Sequence, residues 1–163
     1  MVNRNDAGGD AKSPKAIFMM GGPASGKSTV REQLFSGLTA IDCDAIKATH
    51  PDYDPKNPQL VHEWSSQEAT RAFYAALGTG VDVVFDGTGN TAEKYVTFIQ
   101  TARSAGYTTE VVYVTCDLQT AIARNAARER TVDENIVRSR HATIATSFEI
   151  VSRYADAVRV VRT

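Results

Sequence analysis

Cysteine is scarce in this sequence of 163 residues, and its two cysteines, Cys43 and Cys116, form no C-x-x-C pair. Nothing in this pattern indicates a disulfide framework or a zinc site, so we expect a reducing, cytoplasmic compartment. The three histidines, His50, His62 and His141, lack the spacing of metal ligands. We therefore assign each histidine to packing or to the surface, with contact to a substrate left open for His50.

An excess of charge of one sign is also missing, since the formal net charge is −1. No overall basic field attracts a long nucleic acid, which counts against a DNA or RNA partner without excluding one. No apolar run approaches the roughly 20 residues of a membrane span, so we expect no membrane partner. Residues 1–14 are polar and lack the apolar segment of a signal peptide. We expect a disordered tail there and one domain over residues 15–163.

A glycine-rich loop directly follows the first apolar run. Residues 21–28 fit G-x-x-x-x-G-K-[ST], and a helical pattern begins at Lys27. Strand, loop and helix in this order are typical of a phosphate-binding loop, whose N–H groups bind phosphate oxygens. Lys27 would contact the β- and γ-phosphates, and Ser28 would bind Mg²⁺. The candidate nucleotide-binding residues are Gly21, Gly22, Pro23, Ala24, Ser25, Gly26, Lys27, Ser28 and Thr29.

Apolar segments of strand length alternate with segments of helical period along the chain. Strands are predicted at residues 16–20, 39–42, 81–85, 109–115 and 157–161, and the main helices at 27–35, 59–77, 92–105, 118–129 and 133–154. This alternation is typical of an α/β domain with a parallel sheet. With the phosphate-binding loop, it predicts a P-loop NTPase fold like that of nucleoside and adenylate kinases, in three α/β/α layers with five parallel strands.

Three carboxylates follow predicted strands, where ligands of such sheets bind. Asp42 and Asp44 come after the second strand, and either could cap the helix that starts near Ala45. We interpret Asp42 as the more structural of the two and Asp44 as the base. Asp86 follows the third strand as a Walker-B carboxylate would, although it could also be a turn residue. Besides Ser28, the predicted metal ligand is Asp86 or Asp44, directly or through water.

Three arginines lie near the predicted end of one helix, at Arg124, Arg128 and Arg130. Arg124 and Arg128 are four residues apart and are expected on one helical face. Arginines neutralise the charge that phosphoryl transfer builds up, so we predict a small lid around residues 124–133. The alternative is a solvated helix face, which is how we interpret the arginines of the next helix, Arg138, Arg140 and Arg153.

These motifs together resemble those of the zeta-toxin family of P-loop kinases, whose relatives include chloramphenicol phosphotransferase-like and polynucleotide kinase-like small kinases. The resemblance spans residues 17–161. It rests on the loop at 21–28, on the D-x-D, Lys and His-Pro-x-aromatic pattern at 41–53, on V-F-D-G-T-G at 84–89 and on the arginines before Thr131. It implies Lys27 on the phosphates, Ser28 on Mg²⁺ and Asp44 as the base. It also implies arginines on the transferred group, and the substrate-binding candidates are Asp42, Asp86, Thr88 and Asn90.

The resemblance implies an ATP- and Mg²⁺-dependent phosphotransferase acting on a hydroxyl group, with UDP-N-acetylglucosamine as one acceptor and an antitoxin protein as one partner. No N-K-x-D element for guanine is present, which favours ATP over GTP as the donor. Other acceptors stay open: a polynucleotide 5′-hydroxyl or the base of 5-hydroxymethyluracil in DNA. A nucleotide-dependent switch without acceptor chemistry is the alternative of a different class.

Overall fold

The structure, a computed structural model, describes residues 13–129 and 131–163. Its strands are β1 (Lys15–Met20), β2 (Thr39–Asp42), β3 (Val83–Asp86), β4 (Thr108–Thr115) and β5 (Ala157–Arg162). Its helices are α1 (Lys27–Phe35), α2 (Cys43–Ala48), α3 (His62–Thr79), α4 (Ala92–Ser104), α5 (Leu118–Ala126) and α6 (Glu134–Val151). Apart from residues 13 and 14, the predicted tail lies outside the described residues. No helix within the described ranges is long and apolar enough to cross a membrane.

All five strands are parallel, in the order β2-β3-β1-β4-β5. The last five residues of the central strand β1 are buried, and alternate side chains point to opposite faces of the sheet. On one face, Phe18 packs with Phe73 of α3 and Phe98 of α4. On the other face, Ile17 packs with Val30 of α1. Helices thus cover both faces of a parallel sheet, which confirms the predicted α/β/α fold.

The strand register brings the candidate carboxylates to one edge of the sheet. Asp86, the last residue of β3, is the paired neighbour of Asp42 on one side and of Met19 on the other. The loop that follows β1 therefore starts beside the ends of β2 and β3. This juxtaposition is the one expected for a ligand site in a parallel α/β sheet.

Three predicted helices have different limits in the structure. The last helix, expected over residues 133–154, is α6 and ends at Val151. The helix expected from residue 59 begins with a 3-10 turn, Pro58–Val61, before α3. The helix expected to reach residue 129 ends at Ala126. Asn125 explains the earlier end, because its side chain donates to Val132 O at 2.7 Å and accepts from Val132 N at 3.0 Å. These two bonds hold residue 132 against α5, so the chain turns back instead of extending the helix.

Candidate active site

The loop between β1 and α1, residues 21–28, closes tightly on its neighbours. Gly21 N donates to Thr88 O at 3.0 Å, which links the loop to the segment after β3. A Cβ on Gly21 would lie 2.7 Å from Ser25 Oγ and 2.9 Å from Val114 O, so only glycine fits without displacing backbone. Gly26 has a φ of 90°, a left-handed conformation that glycine adopts without strain. The sequence therefore adopts the local geometry that a phosphate-binding loop requires.

Lys27 points from the first turn of α1 to the end of β3. Its Nζ lies 2.8 Å from Asp86 Oδ1 and donates to Gly87 O at 2.9 Å. Asp86 is only 6% exposed, so its charge depends on such partners. Ser28 and Thr29, in the same turn of α1, are exposed. The predicted lysine, hydroxyl and carboxylate are therefore close together in the fold.

Arg31 is a residue of this site that our sequence interpretation missed. Its Nη1 donates to Asp86 Oδ2 at 2.7 Å and to Asp42 Oδ2 at 3.0 Å. The available signal was spacing, because Arg31 follows Lys27 by four residues and so lies on the same face of α1. The carboxylate partners could not be read from that spacing, since Asp86 is 55 residues away in the chain.

Asp42 and Asp44 have different surroundings. Asp42 is the N-cap of α2, and its Oδ1 accepts from the backbone N–H groups of Asp44 and Ala45, each at 3.0 Å. The capping interpretation of Asp42 is therefore confirmed. Asp44 lies in the first turn of α2 with its side chain exposed. Of the two carboxylates, Asp44 is the more accessible to a substrate.

Between these carboxylates lies Cys43, whose thiol is largely buried. Burial raises the pKa of Cys43 from 9.0 to about 11, although the nearby charges of Lys94 and Lys27 oppose the shift. The thiol is therefore neutral at physiological pH, as expected for a packing residue. Cys43 packs against the main core rather than adding a charge to the site.

The segment after β3 carries the other two substrate-binding candidates. Thr88 Oγ1 accepts from Asn90 N at 3.2 Å. Gly89 has a φ of 75°, and its carbonyl accepts from Ser147 Oγ of α6 at 2.6 Å. Asn90 Oδ1 is buried and has no hydrogen-bond partner among the described residues. A buried acceptor without a partner is rare in a folded protein.

The predicted arginine lid is only partly described. Arg124 Nη1 donates to Thr163 Oγ1 at 2.9 Å, and that hydroxyl donates to Ser25 O of the phosphate-binding loop at 2.7 Å. Arg128 is exposed and lies beyond the end of α5, so the expectation that it shares a helical face with Arg124 is wrong. Arg130 lies outside the described residues.

Helix α6 also approaches the phosphate-binding loop. A Cβ placed on Gly22 would lie 3.5 Å from Ile144 Cδ1 and 3.9 Å from Arg140 Cβ. Our sequence interpretation assigned Arg140 to a solvated face, and it missed this proximity. The sequence signal for this proximity was that Arg140 lies four residues before the buried Ile144 and so on the same face of α6. Arg140 is nevertheless exposed, as expected for a solvated face. Arg138 is exposed too and pairs with Glu134 at 2.9 Å.

A group of basic and aromatic side chains lies on α2, α3 and the loop between them. Lys47 Nζ lies 3.2 Å from His62 Nδ1, and the rings of His50 and Trp64 meet edge to face at 4.7 Å. Partial burial lowers the pKa of His62, and the positive charges of Lys47, Lys94 and Arg140 lower it further, while Asp44 opposes the shift. Three cationic side chains therefore act on His62, together with the opposing carboxylate of Asp44.

The described residues contain no cluster of three or more His, Cys, Asp or Glu side chains that could hold a metal ion. Mg²⁺ does not require such a cluster, because it commonly binds one or two protein oxygens together with phosphates and water. The exposed Ser28 hydroxyl and the Asp86 carboxylate are hard oxygen donors of this kind. The residues present therefore fit a magnesium ion that arrives with a nucleotide.

Comparison with known proteins tests the family resemblance independently of the structure. The sequence profile of the Zeta toxin family matches residues 3–163. The chain belongs to the Zeta toxin family. The resemblance predicted from the motifs is therefore confirmed, and the matched range of this zeta-toxin family member includes the loop at residues 21–28.

Two curated relatives of this zeta-toxin family member are informative. A calmodulin calcium-dependent NAD kinase of Arabidopsis thaliana is 32% identical over 97 residues, covering 47% of this chain and 18% of that protein. Toxin zeta of Enterococcus hirae is 28% identical over 115 residues, covering 61% of this chain and 39% of that protein. The matched regions thus span less than half of either relative.

Solved structures share the fold at low sequence identity. A putative kinase of Chloroflexus aurantiacus has a TM-score of 0.66 at 17% identity, covering 93% of this chain and 89% of that one. The PezAT toxin–antitoxin system of Streptococcus pneumoniae also has a TM-score of 0.66 at 17% identity, with coverage of 93% and 68%. The AvrRxo1-ORF1:-ORF2 complex with ATP has 0.69 at 18% identity, with coverage of 94% and 56%. These likenesses establish a P-loop kinase-like fold.

Proposed function

We propose that this zeta-toxin family member is an ATP- and Mg²⁺-dependent phosphotransferase that phosphorylates a hydroxyl group. The observation that carries the proposal is the convergence of Lys27, Asp86 and the D-x-D pair at the end of one sheet, beside a closed phosphate-binding loop. A nucleotide-dependent switch needs no exposed base beside its phosphate site. Family membership, the kinase relative and the ATP complex of a structural neighbour support the same function.

The donor side of the reaction uses the loop and α1. Loop N–H groups and the positive end of α1 bind the phosphates of ATP, and Lys27 reaches the β- and γ-phosphates. Ser28 and Asp86 would hold Mg²⁺, which supplies charge neutralisation at the phosphate oxygens when it is bound. Arg140, whose Cβ lies near the loop, adds positive charge on the side of α6.

The acceptor side uses α2 and the segment after β3. Asp44 takes the proton of the acceptor hydroxyl while the hydroxyl oxygen forms a bond to the γ-phosphorus of ATP. The bond between the γ-phosphorus and the β–γ bridging oxygen breaks, and ADP leaves. Thr88 and Asn90 hydrogen-bond the acceptor. Charge on the transferred group is neutralised by Arg124 of α5 and by Arg128 and Arg130, which follow α5 in the sequence.

The acceptor itself is proposed to carry phosphate groups. The support is the positive charge of Lys47, Lys94 and Arg140 near His62, with Lys47 Nζ 3.2 Å from His62 Nδ1. UDP-N-acetylglucosamine and NAD both carry a diphosphate, and the second is suggested by the name of the plant relative. A polynucleotide 5′-hydroxyl is the second candidate, supported by a structural neighbour from the Pnkp1/Rnl/Hen1 RNA repair complex with a TM-score of 0.66. The PezAT neighbour supports an antitoxin as a protein partner.

Transfer of the γ-phosphate from labelled ATP tests this proposal. The acceptors are UDP-N-acetylglucosamine, NAD, a 5′-hydroxyl oligonucleotide and 5-hydroxymethyluracil DNA, with Lys27→Ala as the inactive control and Lys56→Ala as the matched surface control. Label on a diphosphate-bearing small molecule, lost only in Lys27→Ala, is the expected result. Label on DNA or RNA alone would move the assignment to the polynucleotide. ATP binding with label on no acceptor would favour the nucleotide-dependent switch.

A further inference from the structure

We propose that Arg31 is a positioning residue that fixes the base Asp44 relative to the donor lysine Lys27. This inference rests on the proposed function. Arg31 and Lys27 lie on consecutive turns of α1, so the helix sets their separation. The two residues contact the same carboxylate, Asp86, through its two different oxygens.

The position of Arg31 is set by two neighbouring strand ends. Asp42 and Asp86 are register partners on β2 and β3, so two carboxylates stand side by side at the edge of the sheet. Like charges opposite each other on adjacent strands repel. A single nitrogen of Arg31 contacts one oxygen of each carboxylate, at 3.0 Å and 2.7 Å. Arg31 therefore neutralises a repulsion that the sheet register would otherwise impose.

The other oxygen of each carboxylate contacts a group of the proposed active site. Asp86 Oδ1 contacts Lys27 Nζ, whereas Asp42 Oδ1 accepts from the N–H of Asp44. A continuous path of short contacts thus runs from α1 through Arg31 and Asp42 to the backbone of the proposed base. Arg31 is 24% exposed, and Asp42 is 30% exposed, so the path is partly shielded from solvent.

Removal of the guanidinium is expected to lower the rate of transfer more than the affinity for ATP. The phosphate-binding loop keeps its own backbone contacts, whereas Asp42 and Asp86 repel and α2 shifts. Misplacement of a catalytic group by about 1 Å costs roughly 100-fold in rate. We therefore expect Arg31→Met to lower kcat about 100-fold, with the KM for ATP within about threefold of wild type.

The kinetic test compares Arg31→Met, Arg31→Lys and Glu32→Gln, the last being an exposed residue of the same helix. Arg31→Lys should recover part of kcat, because a single cationic nitrogen makes both contacts in the structure. Guanidinium ions added to Arg31→Met should recover activity as well. A loss of kcat in Glu32→Gln equal to that in Arg31→Met, or a change confined to the KM for ATP, would overturn the assignment.

A double-mutant cycle tests whether Arg31 acts through Asp42. If it does, Arg31→Met combined with Asp42→Asn should lower kcat little more than Arg31→Met alone. Losses in kcat that multiply would show that the two residues act independently and would contradict the proposed path. Unfolding curves for each variant separate a loss of kcat from a loss of folded protein.

A readout that needs no enzymatic activity separates this inference from the proposed function. In Arg31→Met, or in Arg31→Lys if the first variant fails to fold, the backbone amides of Asp44 and Ala45 should shift in ¹⁵N–¹H spectra and exchange hydrogen faster. Glu32→Gln should leave both amides unchanged. If wild-type protein phosphorylates no acceptor but these amides respond, the proposed function fails while the role of Arg31 in placing the start of α2 stands. Unchanged amides in the Arg31 variants would overturn that role.

Discussion

Lys27 and Asp86 form a short ion pair at the carboxyl edge of the sheet, with Nζ 2.8 Å from Oδ1. The pair joins the first turn of α1 to the end of β3, at two positions nearly 60 residues apart in the chain. Arg31 contacts the second oxygen of the same carboxylate. Two cations therefore compensate one buried anion, and the stability of this region depends on that anion.

Replacement of Asp86 by alanine should destabilise the protein and abolish transfer. Lys27 and Arg31 would face each other without their shared partner, and removing one partner of a buried ion pair costs about 3 to 5 kcal/mol. Urea denaturation measures the loss, with Asp52→Ala as an exposed control that should stay close to wild type. Wild-type stability in Asp86→Ala would mean that the ion pairs contribute little to the fold.

Gly21→Ala should prevent ATP binding. The added methyl group would lie 2.7 Å from Ser25 Oγ and 2.9 Å from Val114 O, so the phosphate-binding loop has to shift. Gly78→Ala is the matched control, because it lies within α3 with open space around its Cβ, where alanine is favoured over glycine by about 1 kcal/mol. Titration of a fluorescent ATP analogue distinguishes the two variants. Equal affinities for the analogue would show that the loop tolerates a side chain.

Cys43 gives a prediction about pH. Its pKa is raised from 9.0 to about 11 in the folded protein, so the folded state holds this proton more tightly than the unfolded state. The resulting stability is fully present below pH 9 and is lost as the pH rises through 11. A two-unit shift corresponds to about 2 to 3 kcal/mol. The difference in unfolding free energy between wild type and Cys43→Ala should therefore shrink by about that amount between pH 8 and pH 11.

Asn125→Ala should loosen the segment that carries Arg128. The two hydrogen bonds to the Val132 backbone are lost, and these partly buried backbone groups lose their partner, at a cost of about 1 to 3 kcal/mol. Limited proteolysis should then cut within residues 126–132 faster than in wild type, whereas Gln119→Ala, on the exposed side of α5, should not change the rate. Equal cutting rates in both variants would show that Asn125 does not hold this segment.

The fold and the phosphate-binding loop could be predicted because their signals are local. Apolar runs such as residues 17–20 mark buried strands, and residues 21–28 carry the complete loop pattern in consecutive positions. The N-cap role of Asp42 was also predictable, since capping depends on residues two and three positions later.

The contacts that sequence reasoning missed join residues that are far apart in the chain and meet only in the folded protein. Arg31 meets Asp86 only because β2, β3 and α1 converge, and Arg140 approaches the loop only because α6 crosses it. The end of α5 was placed too late for a similar reason. Helical periodicity continues to residue 129, but the contacts of Asn125 with Val132 stop the helix at Ala126. Spacing places Arg31 on the same face of α1 as Lys27, but it does not identify the carboxylates that Arg31 contacts, and it misplaced Arg128 on a helix that ends before it.

The most direct test of the central claim, that Asp44 is the base of a phosphoryl transfer, is the rate of γ-phosphate transfer by Asp44→Asn under saturating ATP. The amide keeps the size of the side chain but cannot accept the proton of the acceptor hydroxyl. We predict a fall in kcat of about 100- to 10,000-fold, with unchanged ATP binding and a control variant, Asp52→Asn, at wild-type rate. Transfer by Asp44→Asn at the wild-type rate would contradict the account.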